Sequence, residues 1–375
     1  AKTAREMTGP DPDSTNVVLF VGTKKGLFRM TRPDGRKSWN VEGPFIEGYE
    51  VIHVSRSPKD PRAVYAAAAH SVWGAHIYVS RDLGETWSCL EGVPHHPPGR
   101  HASALKSIWY LAWTPDGKRL YAGIDPAGLF FSDDEGTTWS EVSSLNQHPT
   151  CDTWEPSRGI FAVHSIHIDP RTPARMVVAV SAGGVYRSED AGTTWEPANV
   201  GVRAENLPQT APVSGHNVHR LVMHPAAPDR LYRQCYNGTY RSDDGALSWT
   251  EITDGLPSDF GYALAAHPRD PDTIYQIPES SSHLRAPVDG RLRVYCSHDA
   301  GASWTSVSTG LPAEHVFVTV LREAMDVDGQ TPCGVYFGTS GGHVFISATG
   351  GDDWHMAAGF LPRVLCVKAI AGVPG

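Results

Sequence analysis

Apolar residues along this chain fall in short runs, and the runs keep a fixed order. One run ends in Pro: "IWYLAWTP", "VHSIHIDP", "VHRLVMHP" and "GYALAAHP". A polar turn leads to a second: "KRLYAGI", "ARMVVAV", "DRLYRQC" and "DTIYQIP". After a loop comes a third, "GLFFS", "GVYRS", "GTYRS" and "RVYCS", followed by an Asp-containing turn and a Trp. Short runs rich in β-branched and aromatic residues, bounded by Gly, Pro and Asp, predict β-strands throughout.

The turn itself repeats. "SRDLGETWS" at Ser80, "SDDEGTTWS" at Ser132, "SEDAGTTWE" at Ser188, "SDDGALSWT" at Ser242, "SHDAGASWT" at Ser297 and "SATGGDDWH" at Ser347 follow a worn copy, "RPDGRKSWN". Aligned on Trp39, Trp87, Trp139, Trp195, Trp249, Trp304 and Trp354, the copies place Asp34, Asp82, Asp134, Asp190, Asp244 and Asp299 five residues earlier, with Thr349 as the exception. Gly usually stands three before the Trp, with Arg36 and Ala246 as departures. The tryptophans lie roughly fifty residues apart, the length of a four-stranded propeller blade. An Asp carboxylate accepts backbone N–H bonds in such a turn, Gly supplies φ > 0, and the Trp buries its face against the blade. These aspartates therefore read as structural, not chemical.

The pattern S-x-D-x-G-x-x-W resembles the Asp-box of the BNR-repeat propellers, a group that includes sialidases, sortilin-type receptors, xyloglucan-active glycosidases and photosystem assembly factors. The resemblance implies an all-β, seven-bladed β-propeller over residues 16–375, after a loose polar leader at 1–15. The first blade is split between 16–40 and 363–372, where "RVLCVKAI" is a first strand with no blade to follow. Its pairing with the N-terminal strands closes the ring and removes exposed edges. The other blades fall at about 51–88, 108–140, 163–196, 218–250, 261–305 and 316–355. The architecture alone names no activity, because enzymes, receptors and assembly factors share it.

Loop lengths give the ring a polarity. The turns after each first strand, and the Asp-containing turns, are short and uniform; both lie on one face. On the other face the connections are long and unlike one another, as in "SCLEGVPHHPPGRHASALKS", "EPANVGVRAENLPQTAPVSGHN" and "IPESSSHLRAPVDGRL". Function concentrates in long loops on a rigid scaffold, so the site is expected on that face, over the central channel. Those loops hold much of the histidine: His70 and His76 around Trp73, then His95, His96 and His101, then His148, His216 and His283. On the first strands, counting back from the Pro, one position reads Trp109, His164, His219 and Tyr262, with His53 and His315 close to the same height. Converging neutral imidazoles suit a divalent metal or a general base, which makes His164, His219 and His53 the candidate ligands or catalytic groups. The bland alternative is that each donates to a carbonyl and packs. Arg220 beside His219 is expected to orient an anionic group, with Trp109, Tyr262, Tyr236, Trp73, His70, Arg285, Glu279 and Arg363 as substrate contacts. Arg158, Lys24, Lys25 and Asn237 share that face.

Charge and composition narrow the classes. The net charge of −9 and the lack of a basic run argue against nucleic acid as a partner. No apolar stretch is long enough to span a membrane. Six scattered cysteines without a C-x-x-C pair point mildly to a reducing compartment, the cytoplasm, with an exported form left open. The main expectation is a hydrolase or lyase acting on a small organic, anionic substrate at the channel mouth. One alternative is a non-catalytic scaffold gripping a protein or peptide. Another is a glycoside hydrolase or sialidase-like enzyme, which needs two carboxylates at the mouth. There Glu47, Glu50, Asp125, Asp152, Glu155, Glu279 and Glu314 qualify, with no pair singled out. The sialidase resemblance further implies three arginines clamping a carboxylate and an F-R-I-P signature. "LFRMTRP" only looks similar to that signature and falls on an outer strand.

Overall fold

The computed structural model describes residues 16–32, 38–98, 104–154, 161–204 and 211–373. They build seven antiparallel four-stranded sheets, each a propeller blade. Blade 1 combines the C-terminal strand Val364–Val373 with Asn16–Thr23, Gly26–Thr31 and Asn40–Phe45, so the two ends of the chain close the ring. The innermost strands of blades 2 to 7 are Glu50–Arg56, Ser107–Trp113, Val163–Ile168, Val218–Met223, Gly261–Ala266 and Met325–Val327.

Packing explains the near-continuous apolar second strands. Leu120–Asp125, Met176–Val180 and Leu231–Cys235 are buried at every position, because a neighbouring blade covers each face. The core is therefore a set of seams between blades. In one, Tyr65, Ala67 and Ile77 of blade 2 meet Ile108, Leu111, Leu120 and Ala122 of blade 3.

The repeated turn is a hydrogen-bonded knot. In blade 3 the Ser132 hydroxyl donates to Asp134 (2.7 Å) and accepts from the Gly136 N–H (2.8 Å). Asp134 also accepts from the Thr138 N–H (2.8 Å) and hydroxyl (2.6 Å), and the Trp139 indole N–H donates to the Gly136 carbonyl (3.1 Å). Gly136 has φ +96°, and a Cβ there would meet Leu90 at 2.9 Å. In blade 7 Thr349 takes over: its hydroxyl accepts from the Asp353 N–H at 3.0 Å. Asp34 and Arg36 of the worn copy lie outside the described residues.

One irregularity recurs at the channel. Near the start of six innermost strands the ladder skips a residue, leaving Leu365, Ile52, Trp109, His164, His219 and Tyr262 unpaired in β-bulges of blades 1 to 6. A bulge bends the strand and re-aims the extra side chain. Blade 7 replaces the bulge with a turn, Leu321–Ala324, closed by an Ala324 N–H to Leu321 carbonyl bond of 3.0 Å.

Candidate functional site

The bulges surround the mouth of a pocket of about 330 Å³. Its wall combines the bulge residues Leu365, Ile52, Trp109, His219 and Tyr262 with Arg322 and Glu323 from the blade 7 turn. Glu50, Lys24, Tyr236, Arg285, Thr319 and Arg363 also contribute, the last five from connections of the expected face. The position aligned from sequence on four blades is thus the bulge position, and three of its four residues line the pocket.

The fourth does not. His164 is buried with both ring nitrogens engaged: Nε2–H donates to the Val218 carbonyl (3.0 Å) and Nδ1 accepts from the Ser165 hydroxyl (3.0 Å). His53 sits one residue past the bulge of blade 2, which turns it away. It lines a separate cavity of about 30 Å³ with Tyr110, Arg220, Glu323 and Lys368, its Nε2 on the Leu111 carbonyl (3.2 Å) and Nδ1 3.3 Å from Glu323. Burial, then Lys368, lowers the His53 pKa to about 3. Arg220 is likewise one residue past its bulge and is ion-paired with Glu323, so its charge is spent inside the protein. The expectation that Arg220 orients a ligand is corrected accordingly.

His219 is the one aligned histidine at the pocket. Its Nδ1–H donates to the Gly261 carbonyl (2.8 Å), leaving Nε2 as the lone-pair nitrogen, and its ring lies 4.6 Å from that of Tyr262. Burial, then Arg322, lowers its pKa to about 3, too weak a base for proton abstraction near neutrality. Among the described residues no group of three or more His, Cys, Asp or Glu side chains is placed to hold a metal ion. The reading of His164, His219 and His53 as a metal trio is therefore not met by their placement.

The rim residues separate from the pocket. Trp73 is 68% exposed on its loop and does not line the cavity. His70 accepts the N–H groups of Val72 (3.0 Å) and Trp73 (3.2 Å), a local turn bond. His96, His148 and His216 similarly bond the carbonyls of Pro126, Trp195 and Pro212. His101, Glu155 and Arg158 lie outside the described residues. Tyr236 does face the cavity, its hydroxyl 2.9 Å from that of Ser282. Glu279 lies behind the wall: it is 1% exposed, its carboxyl makes no well-formed hydrogen bond, and burial pushes its pKa up to about 8 against the weaker opposing pull of the Val320 N–H and Arg285.

Arg322 and Glu323 were not among the residues selected from sequence. Counting back from the strand-ending Pro does not reach them, because blade 7 reads "VLREAMDVDGQTP" and its Pro comes late. The adjacent Arg–Glu pair at the start of an inner strand was the available signal. Arg322 packs against two ring faces, its guanidinium carbon 5.1 Å from the Tyr262 centroid and 5.8 Å from that of Trp109. Burial, with Arg285 nearby, pulls its pKa down to about 10. Chemically, the pocket offers aromatic faces, two carboxylates at Glu50 and Glu323, and several guanidiniums.

Comparison with known proteins follows the fold. A family model described as Sortilin-Vps10, "Sortilin, neurotensin receptor 3", matches residues 127–289. The chain is similar to the oligoxyloglucan-reducing end-specific xyloglucanase of Emericella nidulans: 25% identical over 339 residues, 78% of this chain and 40% of that protein. It is also similar to xyloglucanase Xgh74A of Acetivibrio thermocellus, 26% identical over 269 residues, 63% of this chain and 30% of that protein. The chain thus spans less than half the length of these curated relatives. Among solved structures, the GH74 xyloglucanase from Xanthomonas campestris superposes with a TM-score of 0.63 at 18% identity, over 92% of this chain and 53% of that one. YCF48 from Cyanidioschyzon merolae superposes with a TM-score of 0.51 at 13% identity, over 82% and 84%. At these identities the structural likeness shows the fold, a seven-bladed propeller similar to those of xyloglucanases and sortilin-type proteins.

Proposed function

We propose that this protein is a hydrolase of the glycoside-hydrolase type, acting on a small saccharide in the channel-mouth pocket. One observation carries the reading: Glu50 and Glu323 line the same cavity as the aromatic rings of Trp109, Tyr236 and Tyr262, the Glu323 carboxylate at its floor, where it also meets Arg220 and His53 of the lower cavity. Glycosidic cleavage uses a carboxyl pair around the bond, and ring faces suit a sugar. Glu50 and Glu323 belong to blades 2 and 7, on either side of blade 1. Each has a cationic neighbour that fixes its position, Lys24 at 2.5 Å from Glu50 and Arg220 beside Glu323. The relatives named as xyloglucanases support the bond type over most of the chain. Carboxylates, rather than His164 or His219, carry the chemistry in this reading.

The test is release of 4-nitrophenol from a panel of aryl glycosides, and of reducing ends from xyloglucan oligosaccharides. Glu323→Gln is expected to lower kcat by about a thousandfold, and Glu50→Gln by at least tenfold. No turnover by the unmodified protein, or wild-type kcat in both variants, overturns the reading. A second reading, a docking face for a protein, is favoured by apolar side chains on the same face: Trp73, Val213, Leu284, Phe317 and Phe360 are all more than half exposed. It predicts no turnover on any member of the panel.

A further inference from the structure

His219 is too weak a base for proton abstraction, but an imidazole that takes up no proton is a dependable hydrogen-bond acceptor. Its Nδ1–H is committed to the Gly261 carbonyl at 2.8 Å, which fixes the tautomer and leaves a lone pair on Nε2. The residue lines the pocket, and the Nε2 edge opens on the cavity with no donor to it among the described residues. Three rings hold the imidazole in place: Tyr262 at 4.6 Å, with Phe260 at 5.3 Å and Tyr236 at 6.4 Å nearly perpendicular to it. The direction of the lone pair is therefore set before any ligand arrives. Burial, then Arg322, holds the ring neutral with a pKa of about 3, so Nε2 accepts at every pH near neutrality.

The Tyr236 and Ser282 hydroxyls, both of the same pocket wall, lie 2.9 Å apart. One donates to the other, so the pair keeps one hydrogen and several lone pairs for a ligand. A fixed acceptor in a cavity is matched by an O–H or N–H and repels an oxygen that brings lone pairs alone. A cationic donor is disfavoured, because the guanidiniums of Arg322 and Arg285 both act on His219. A neutral hydroxyl meets neither objection. We infer that His219 Nε2 accepts a hydrogen bond from a ligand hydroxyl, with the Tyr236–Ser282 pair as a second polar contact, and that His219 thereby selects a free hydroxyl over its deoxy or O-methyl counterpart. Leaving a fixed acceptor unpaired penalises the analogue far more than the loss of a methylene contact does. That the hydroxyl belongs to a sugar rests on the glycoside-hydrolase reading; the acceptor at Nε2 does not.

The experiment is nitrogen-15 NMR of the full chain labelled at its histidine nitrogens, titrated at pH 7 with D-glucose, D-xylose and D-galactose. The monodeoxy and mono-O-methyl forms of each sugar that binds follow. His219→Phe assigns the Nε2 signal by its loss, and His219→Gln does so if the phenylalanine variant fails to fold. In the free protein Nε2 is expected to carry no proton, and on sugar binding its signal should move upfield, as an acceptor's does. One deoxy isomer and the matching O-methyl ether should leave the signal unmoved and bind at least about tenfold more weakly, while the other isomers stay within about threefold. His219→Phe should bind the sugar and that deoxy isomer alike. A protonated Nε2 at pH 7, an unmoved signal with sugar bound, no binding by any of the three sugars, or undiminished discrimination in His219→Phe overturns the inference. An unmoved signal alongside turnover of aryl glycosides removes the hydroxyl acceptor and leaves the hydrolase reading standing. A sugar-dependent shift without turnover does the reverse.

Discussion

Replacing Glu279 by Gln should stabilise this protein increasingly as pH rises from 5 to 8. The carboxyl is 1% exposed, makes no well-formed hydrogen bond, and has its pKa raised by burial from 4.5 to about 8, the Val320 N–H and Arg285 offsetting only part of the rise. In the folded protein it therefore keeps its proton through neutrality, whereas the unfolded chain releases it above pH 4.5. The unfolded state then binds fewer protons than the folded one, so stability falls with rising pH across that window. The slope is about 1.4 kcal/mol per pH unit, which accumulates to about 3 kcal/mol at pH 7. Above pH 8 both states are ionised and the loss stops growing. Glutamine resembles the protonated acid in shape and does not titrate. Its amide brings its own desolvation, but that contribution does not vary with pH, so the slope and not the intercept is diagnostic. Urea unfolding of both proteins at pH 5, 6, 7 and 8 measures it. The stability difference should widen in favour of Glu279→Gln up to pH 8 and then level off. Parallel profiles would refute the buried, protonated carboxyl.

Two further perturbations address the repeated turn. Trp195, 4% exposed, should cost about 3–5 kcal/mol on conversion to alanine, while the partly exposed Trp139 should cost about half as much; urea unfolding separates the two. Hydrogen bonds from Thr138 and Ser132 hold Asp134, and those from Ser303 and Ser297 hold Asp299, at a pKa of about 2. A depressed folded pKa contributes stability that is lost as pH falls from about 4 to about 2. Asp134→Asn with Asp299→Asn should therefore lower stability at pH 6 and leave a shallower acid decline, followed by circular dichroism; an unchanged acid profile would count against these bonds.

Architecture was legible because it is written redundantly. Seven copies of one sequence pattern ending in Trp announce the blades, and an unmatched strand at each end announces closure. The functional face was legible from loop length, and the pocket opens there. Register at the mouth was only half legible. Counting back from Pro found Trp109, His219 and Tyr262, but it also admitted His53 and Arg220, one residue beyond the bulge in their strands. In a β-strand that offset reverses the side chain, and it sends both groups to the lower cavity with Glu323. His164 occupies the aligned position and still misses the pocket, because carbonyl and hydroxyl partners claim its ring. Arg322 escaped because the Pro of blade 7 comes late and shifts the count.

The bulge position is where the wall of the pocket varies from blade to blade. A bulged residue makes no ladder pairing, so its side chain is free of the blade's strand-to-strand register. Around the ring the seven equivalents are Leu365, Ile52, Trp109, His164, His219, Tyr262 and Arg322. Leu365 and Ile52 give the pocket an apolar side next to blade 1. Tyr262 and Arg322 give it a polar, cationic side across blades 6 and 7, and Trp109 reaches between the two with its ring against the Arg322 guanidinium. Side chains at these places set the chemistry of the channel mouth, although His164 and His219 also tie neighbouring blades together through the Val218 and Gly261 carbonyls. The Asp-containing turns reveal so little about activity because they sit at the opposite end of the strands and report only on how each blade is held together.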